Sequence, residues 1–291
     1  MEESTFILHF YQSKFPNRKF SYSFAYVTSF RGPAPLHHTL LTGETHTGVT
    51  LQTLHPEKFD HGAILAQTPP LEIPNASQCT YEQLLNFITP KAAEILVQGI
   101  RNRLFILGPT RLHAASPSSE TDRHLRHAPK ITTEDRQIEW TKWTTEDLIR
   151  RDRVLGRLWS FCQPKGKPKT RIILEGFSDM TAKAPEFGWF HALNKLAGSA
   201  CSESQPAGNM DSTYDERSLG RFFLLPMISV DHQRFRIPCV KHEDAIIMRH
   251  PNGDAMLVRE FTVEGGKKKS AFKVLDEWSK SGEIEAPSII L

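Results

Sequence analysis

The sequence predicts an α/β domain joined by a polar linker to a small β-barrel. Residues 30–112 alternate short extended stretches with helical periodicity, which is typical of an α/β domain. A linker is predicted at 113–139, where a Ser-Pro-Ser-Ser run and mixed charges interrupt the apolar pattern. From residue 140 to 291, short β segments separated by Gly, Pro and Asn-Gly turns favour a barrel.

The most regular segment of the first domain is a helix predicted from Tyr81 to about Asn102. Apolar residues recur there at helical spacing and Thr80 is placed to cap its start. Pro90 predicts a kink or a split. The other predicted elements are a helix within 31–43 ending at Gly43, a strand at 47–54, a turn at 59–62 and an extended stretch at 63–73.

Residues from Thr133 to about Trp159 predict a short turn followed by a helix capped by Thr145, and five predicted strands follow. The stretch 196–219 is rich in Ser, Gly, Asn and Asp and is predicted to be a mobile insertion. The strand segments are TRIILEGF, RFFLLPMISV, FRIPCV, AIIMRH and AMLVREFTV.

Composition indicates a folded chain and excludes several classes. Hydrophobic residues make up 39% and charged residues 24%, enough for a core. No apolar run approaches the roughly 20 residues that span a bilayer, so no membrane partner is expected. The four cysteines form no CxxC pair, so neither a zinc knuckle nor a disulfide framework is indicated. A net charge of +3 permits a nucleic-acid partner without arguing for one.

Three stretches resemble methionyl-tRNA formyltransferases. Residues 30–65 follow the family order of an aromatic-Arg-Gly-x-x-Pro segment, a helix, Thr-Gly-Val-Thr and an Asp-x-Gly turn. Residues 127–140, HAPKITTEDRQIEW, resemble the family linker with its lysine, acidic residues, Arg and closing Trp. AMLVREFTVEGGKKKSAFKVL resembles the last strand, basic turn and closing helix. The resemblance implies an α/β formyltransferase domain with an incomplete Rossmann-like core, followed by an OB-like β-barrel.

The implied reaction is transfer of a formyl group from 10-formyltetrahydrofolate to the amino group of methionyl initiator tRNA. In a eukaryote the family implies the mitochondrial matrix, although residues 1–29 contain no clear transit peptide. A monomer without a metal is expected. Two alternatives stay open: a formyltransferase acting on a small-molecule amine, and a non-catalytic tRNA-binding remnant.

Formyl transfer to an amine passes through a tetrahedral oxyanion and needs hydrogen-bond donors aimed at that oxygen. The family supplies an Asn and a His, tuned by a carboxylate that Asp60 matches; a simple Asp-capped turn is the alternative for Asp60. The resemblance also implies a cofactor-binding set, namely Arg31, Gly32, Pro35, His61 and Gly62.

The positions of the family's Asn and His fall on Ser21 and Ser23. This departure predicts that the chain is inactive as it stands, and that it is N-terminally truncated or mis-joined. The histidines between His37 and His61 recur with no metal-ligand spacing, so no metal site is predicted.

Basic residues at strand edges are the candidate tRNA contacts, because lysine–phosphate contacts are independent of sequence. A merely solvated turn is the alternative for each of them. They are Lys130, Lys165, Lys167, Lys169, Arg171, Lys267, Lys268 and Lys269.

Overall fold

The structure is a computed structural model that describes residues 20–23, 30–53, 64–104, 126–200 and 221–287. The chain divides into a first unit, Met1–Thr132, and a second unit, Thr133–Leu291. The division falls inside the segment 113–139. No helix among the described residues is both long and apolar enough to span a membrane.

The first unit is organised around one long helix, α2, at Tyr81–Arg101. The prediction of this helix is confirmed, including its cap: Thr80 Oγ1 accepts from Gln83 N, and the Gln83 side chain accepts from Thr80 N. Pro90 lies inside the helix without splitting it. The other elements are β1 Phe20–Ser23, β2 Phe30–Arg31, α1 Pro35–Leu41, β3 His46–Thr47, β4 Thr50–Thr53, β5 Ile64–Gln67, β6 Leu71–Glu72 and β7 Arg126–His127.

The core of the first unit lies where α2 packs on β4. Leu84 and Ile88 are fully buried along one face of the helix. Gly99 lets the helix approach the strand, because a Cβ there would lie 2.4 Å from the Leu51 side chain. Within the described ranges, β1, β4 and β5 form an antiparallel sheet and β2 with β7 is a parallel pair. The Rossmann-like arrangement of several parallel strands is therefore not seen in these ranges.

The second unit is built on a nine-stranded sheet in which each pair of neighbouring strands is antiparallel. Its strands are β8 Leu158–Cys162, β9 Thr170–Glu175, β10 Ser178–Asp179, β11 Phe222–Ile228, β12 Arg234–His242, β13 Ala245–Arg249, β14 Ala255–Val258, β15 Glu260–Val263 and β16 Lys269–Ser270. Its helices are α3 Thr145–Leu155, α4 Phe190–Ala200 and α5 Ala271–Lys280.

The strand order is β10-β14-β13-β12-β11-β8-β9-β15-β16, and its two end strands do not pair with each other in the described residues. A large antiparallel sheet is thus present, and the predicted OB-like closed barrel is not confirmed. Each of the five predicted segments contains a strand. AMLVREFTV contains two, because the extended structure is interrupted at one residue between Val258 and Glu260.

Three local predictions are corrected. The cap of α3 is Thr144, not Thr145: Thr144 Oγ1 accepts from Asp147 N in a capping box. The helix predicted to end near Trp159 ends at Leu155, and strand β8, which was not predicted, begins at Leu158. Helix α4 occupies the first residues of the segment 196–219, and residues 201–219 lie outside the described residues.

Both faces of the second sheet are covered, which explains its continuous apolar strands. On β13, Ile246 and Met248 face one core while Ile247 faces the other. The first core includes the buried Trp140, and the second includes Trp189 and Leu193 near α4. A sheet buried on two faces loses the polar alternation that marks a half-buried strand.

Candidate functional site

The loop that follows β2 is held by the segment that follows β7. Phe30 pairs with Arg126 and Arg31 with His127 in parallel register. The Ala128 amide donates to the Arg31 carbonyl at 2.6 Å, and the Ala34 amide donates to the Ala128 carbonyl at 3.3 Å. We call this arrangement of residues 30–34 and 126–129 the clasp. It joins two of the stretches that carry the family resemblance.

Gly32 is required by the geometry of the clasp. Its φ of +128° lies where only glycine is relaxed. A Cβ at this position would lie 2.5 Å from the Ala128 carbonyl oxygen, closer than any real contact. The close passage of the two backbones therefore depends on the missing side chain.

Helix α1 starts from the clasp. Pro35 occupies its first turn, where a proline removes no helical hydrogen bond. His38 Nε2 lies 3.1 Å from the Pro129 carbonyl oxygen; because a carbonyl only accepts, Nε2 carries the proton. The His37 ring stacks on Tyr81, with 4.0 Å between the centroids. His38 thus contacts the clasp and His37 contacts the start of α2, and no cluster able to hold a metal ion occurs among the described residues.

The Arg126 side chain contacts Phe30 of the clasp and Glu44, and the sequence did not predict this role. Its guanidinium carbon lies 4.3 Å from the centroid of the Phe30 ring, and the side chain forms an ion pair with Glu44. Arg126 lies in the polar stretch before Lys130, where no local pattern distinguishes it from a solvated charge. The parallel pairing of β7 with β2 is what places Arg126 beside Phe30.

The remaining candidates of the first unit are only partly described. Lys130 is exposed directly after the clasp. Asp60, His61 and Gly62 lie outside the described residues. Ser21 and Ser23 lie on β1, opposite Gln52 and Thr50 of β4.

In the second unit, Lys165, Lys167 and Lys169 are exposed in the connection between β8 and β9. Lys167 pairs with Glu283 at 3.5 Å. Lys169 Nζ lies 3.8 Å from the centroid of the Phe161 ring. The Arg171 guanidinium carbon, on β9, lies 4.5 Å from the centroid of the Trp159 ring.

The other basic residues, Lys267–Lys269, lie between the turn after β15 and the start of α5, with Lys269 on β16. Lys268 Nζ lies 3.0 Å from Glu260 and 3.1 Å from Glu175, and the hydrogen bonds to these two carboxylates raise the pKa of Lys268. Lys269 pairs with Glu277 at 2.6 Å. Two of these three lysines are therefore already neutralised by carboxylates.

Comparison with known proteins supports the resemblance of the first unit to formyltransferases. Residues 14–99 match the family described as Formyl transferase. The chain is 36% identical over 148 residues to the mitochondrial methionyl-tRNA formyltransferase of Saccharomyces cerevisiae, a match covering 45% of this chain and 35% of the relative. It is 31% identical over 174 residues to the methionyl-tRNA formyltransferase of Treponema denticola, covering 58% of this chain and 50% of the relative. The predicted resemblance to methionyl-tRNA formyltransferases is confirmed.

The human mitochondrial methionyl-tRNA formyltransferase is 31% identical over 129 residues, or 44% of this chain and 31% of that protein. These matches thus span between about a third and a half of the relatives' lengths. Among solved structures, HypX from Aquifex aeolicus aligns with a TM-score of 0.46 and 15% identity, over 90% of this chain and 37% of that one.

Proposed function

We propose that this chain is a formyltransferase of the methionyl-tRNA type, and that its formyl donor is 10-formyltetrahydrofolate. The proposed acceptor is the amino group of methionyl initiator tRNA. The observation that carries the proposal is the match of residues 14–99 to the formyl transferase family, in the region where the clasp orders the Arg31–Pro35 loop.

The place of action that we propose is the mitochondrial matrix. The relatives from yeast and human are mitochondrial by name, which supports this assignment. We further propose that the protein works as a monomer and without a metal ion.

The proposed chemistry is acyl transfer. The acceptor nitrogen attacks the formyl carbon, the carbonyl oxygen becomes an oxyanion, and collapse expels the folate nitrogen while a proton leaves the attacking amine. We assign shaping of the donor site to Arg31, Gly32 and Pro35, together with His61 and Gly62. We assign tuning of the oxyanion donors to the Asp60 carboxylate.

Ser21 and Ser23 occupy the positions of the family's Asn and His. Loss of one oxyanion donor typically lowers the rate about 100- to 1000-fold. A serine hydroxyl also lacks the pKa near neutrality that lets a histidine exchange a proton with the amine. The chain is therefore expected to turn over far more slowly than an enzyme with both groups.

The test is a formylation assay on the full chain with methionyl initiator tRNA and 10-formyltetrahydrofolate. Ser21→Asn combined with Ser23→His is expected to raise turnover by at least about 100-fold, and Asp60→Asn in that background to abolish the gain. Ser21→Ala with Ser23→Ala is the matched control and is expected to give no gain. A native chain that already reaches the rate of the restored variant would refute these assignments.

A second candidate function, a non-catalytic tRNA-binding protein, is favoured by the same two serines. It predicts that the chain binds tRNA while neither the native chain nor the restored variant formylates it. Binding measured beside the assay separates the two candidates.

A further inference from the structure

Two basic surfaces of the second unit have similar sequences but different electrostatic surroundings. The hairpin patch consists of Lys165, Lys167, Lys169 and Arg171 at the β8–β9 connection. The basic turn consists of Lys267, Lys268 and Lys269. An RNA backbone is a polyanion, so the uncompensated charge of each surface decides which one attracts it.

The basic turn has no net charge with its immediate partners. Lys268 contacts both Glu175 and Glu260, and Lys269 contacts Glu277, so three lysines stand against three carboxylates. A phosphate that approaches this turn must either break these ion pairs or be repelled by the carboxylates that form them. Its lysines hold β9, β15 and α5 together instead.

The hairpin patch keeps an excess of positive charge. Among the described residues, the carboxylates that pair or hydrogen-bond with it are Glu283, which pairs with Lys167, and Glu264, which accepts from the Arg171 backbone amide at 3.1 Å. Four cations thus stand against two carboxylates, which leaves a local charge of +2.

Aromatic rings order two of these cations without neutralising them. Lys169 lies over Phe161 and Arg171 over Trp159, and the two rings contact each other edge to face at 5.3 Å between centroids. A ring attracts a cation through its quadrupole and adds no negative charge. Side chains that are already ordered lose less conformational entropy when a phosphate binds.

We propose that the hairpin patch, with Lys169 and Arg171 at its centre, is the main RNA-phosphate contact of the second unit, and that the basic turn is structural. This inference rests on the proposed tRNA partner. It identifies which of the candidate basic residues meet that partner.

The experiment compares two double variants of the full chain that remove the same charge. Binding to tRNA is measured by fluorescence anisotropy between about 50 and 200 mM salt, the range over which phosphate contacts lose affinity. Lys169→Gln with Arg171→Gln is expected to weaken binding about tenfold or more and to reduce the salt slope by about 1.4 to 1.8, since each of the two contacts contributes about 0.7 to 0.9. Lys268→Gln with Lys269→Gln is expected to change affinity less than about twofold.

Phe161→Leu is the second test variant, because it removes a ring and retains all four cations. It is expected to weaken binding severalfold with a nearly unchanged salt slope. Circular dichroism of each variant verifies folding, and the single variant Lys169→Gln replaces the double variant if the latter unfolds.

Equal losses from the two double variants, or a larger loss from the basic turn, would overturn the inference while leaving tRNA as the partner. Absence of salt-dependent binding by the native chain would overturn the proposed partner and the inference together.

Discussion

Gly32→Ala is the sharpest test of the clasp, because a single methyl group is placed against a fixed backbone oxygen. The added Cβ would lie 2.5 Å from the Ala128 carbonyl oxygen, and alanine is strained at a φ of +128°. The same oxygen accepts the hydrogen bond from Ala34, so moving it away disturbs that bond as well.

The expected cost follows from these contacts. Strained backbone costs roughly 1–3 kcal/mol and a weakened hydrogen bond about 1 kcal/mol. The free energy of opening the clasp should therefore fall by about 2–4 kcal/mol, equivalent to a rise of about 30- to 1000-fold in its open population.

The assay is native-state hydrogen exchange at the Ala128 amide, which is protected by its bond to the Arg31 carbonyl. Gly198→Ala is the matched control: Gly198 lies in α4 with nothing within 4 Å of an added Cβ. The control should leave Ala128 exchange unchanged. If Gly32→Ala exchanges within about threefold of the native chain, the close passage deduced for the clasp is wrong.

Three further predictions concern stability and reactivity. Burial lowers the pKa of His250 below its ordinary 6.5, so the unfolded chain binds more protons than the folded chain below that pH. Folding stability should therefore fall on acidification below about pH 6.5. His250→Phe should flatten the pH dependence of the urea midpoint. Thr80→Ala removes the cap of α2 and should cost about 0.5–2 kcal/mol in urea unfolding monitored by circular dichroism, whereas Thr89→Ala, a mid-helix change, should cost less. Burial raises the pKa of Cys162 to about 12 and also raises that of Cys239, so neither thiol should react with a thiol reagent at pH 8 until the chain unfolds, and early labelling by mass spectrometry would contradict this.

Local signals predicted the elements whose determinants lie within a few residues. Helix α2 follows from its apolar spacing and from the Thr80–Gln83 box, both visible in sequence. Strand β8 was missed because LWSFC is short and buried on both sides, which removes alternation. Helix α4 was missed because its end, which includes Gly198 and Ser199, continues without a boundary into the polar stretch that comes after it.

Charge patterns in sequence predicted where basic residues cluster but not which of them are compensated. Lys267–Lys269 form the densest basic run near the end of the chain, yet their carboxylate partners include Glu175, which lies more than ninety residues away. Lys169 and Arg171 alternate with other residues and form a weaker signal, while the rings beneath them come from the neighbouring strand. Such cross-strand relations depend on register, which single-sequence reasoning did not supply here.

The clasp joins two of the sequence stretches that carry the family resemblance. The Arg31–Pro35 loop and the segment before Lys130 are separated by about 95 residues in the sequence. Two backbone hydrogen bonds join them, and their close approach requires Gly32, which no other residue replaces without strain. Because Lys130 directly follows the clasp residues 126–129, a displacement of the loop is expected to displace the lysine with it. The proposed contact points for the formyl donor and for the tRNA therefore belong to one hydrogen-bonded element, and both should respond to the same substitution at Gly32.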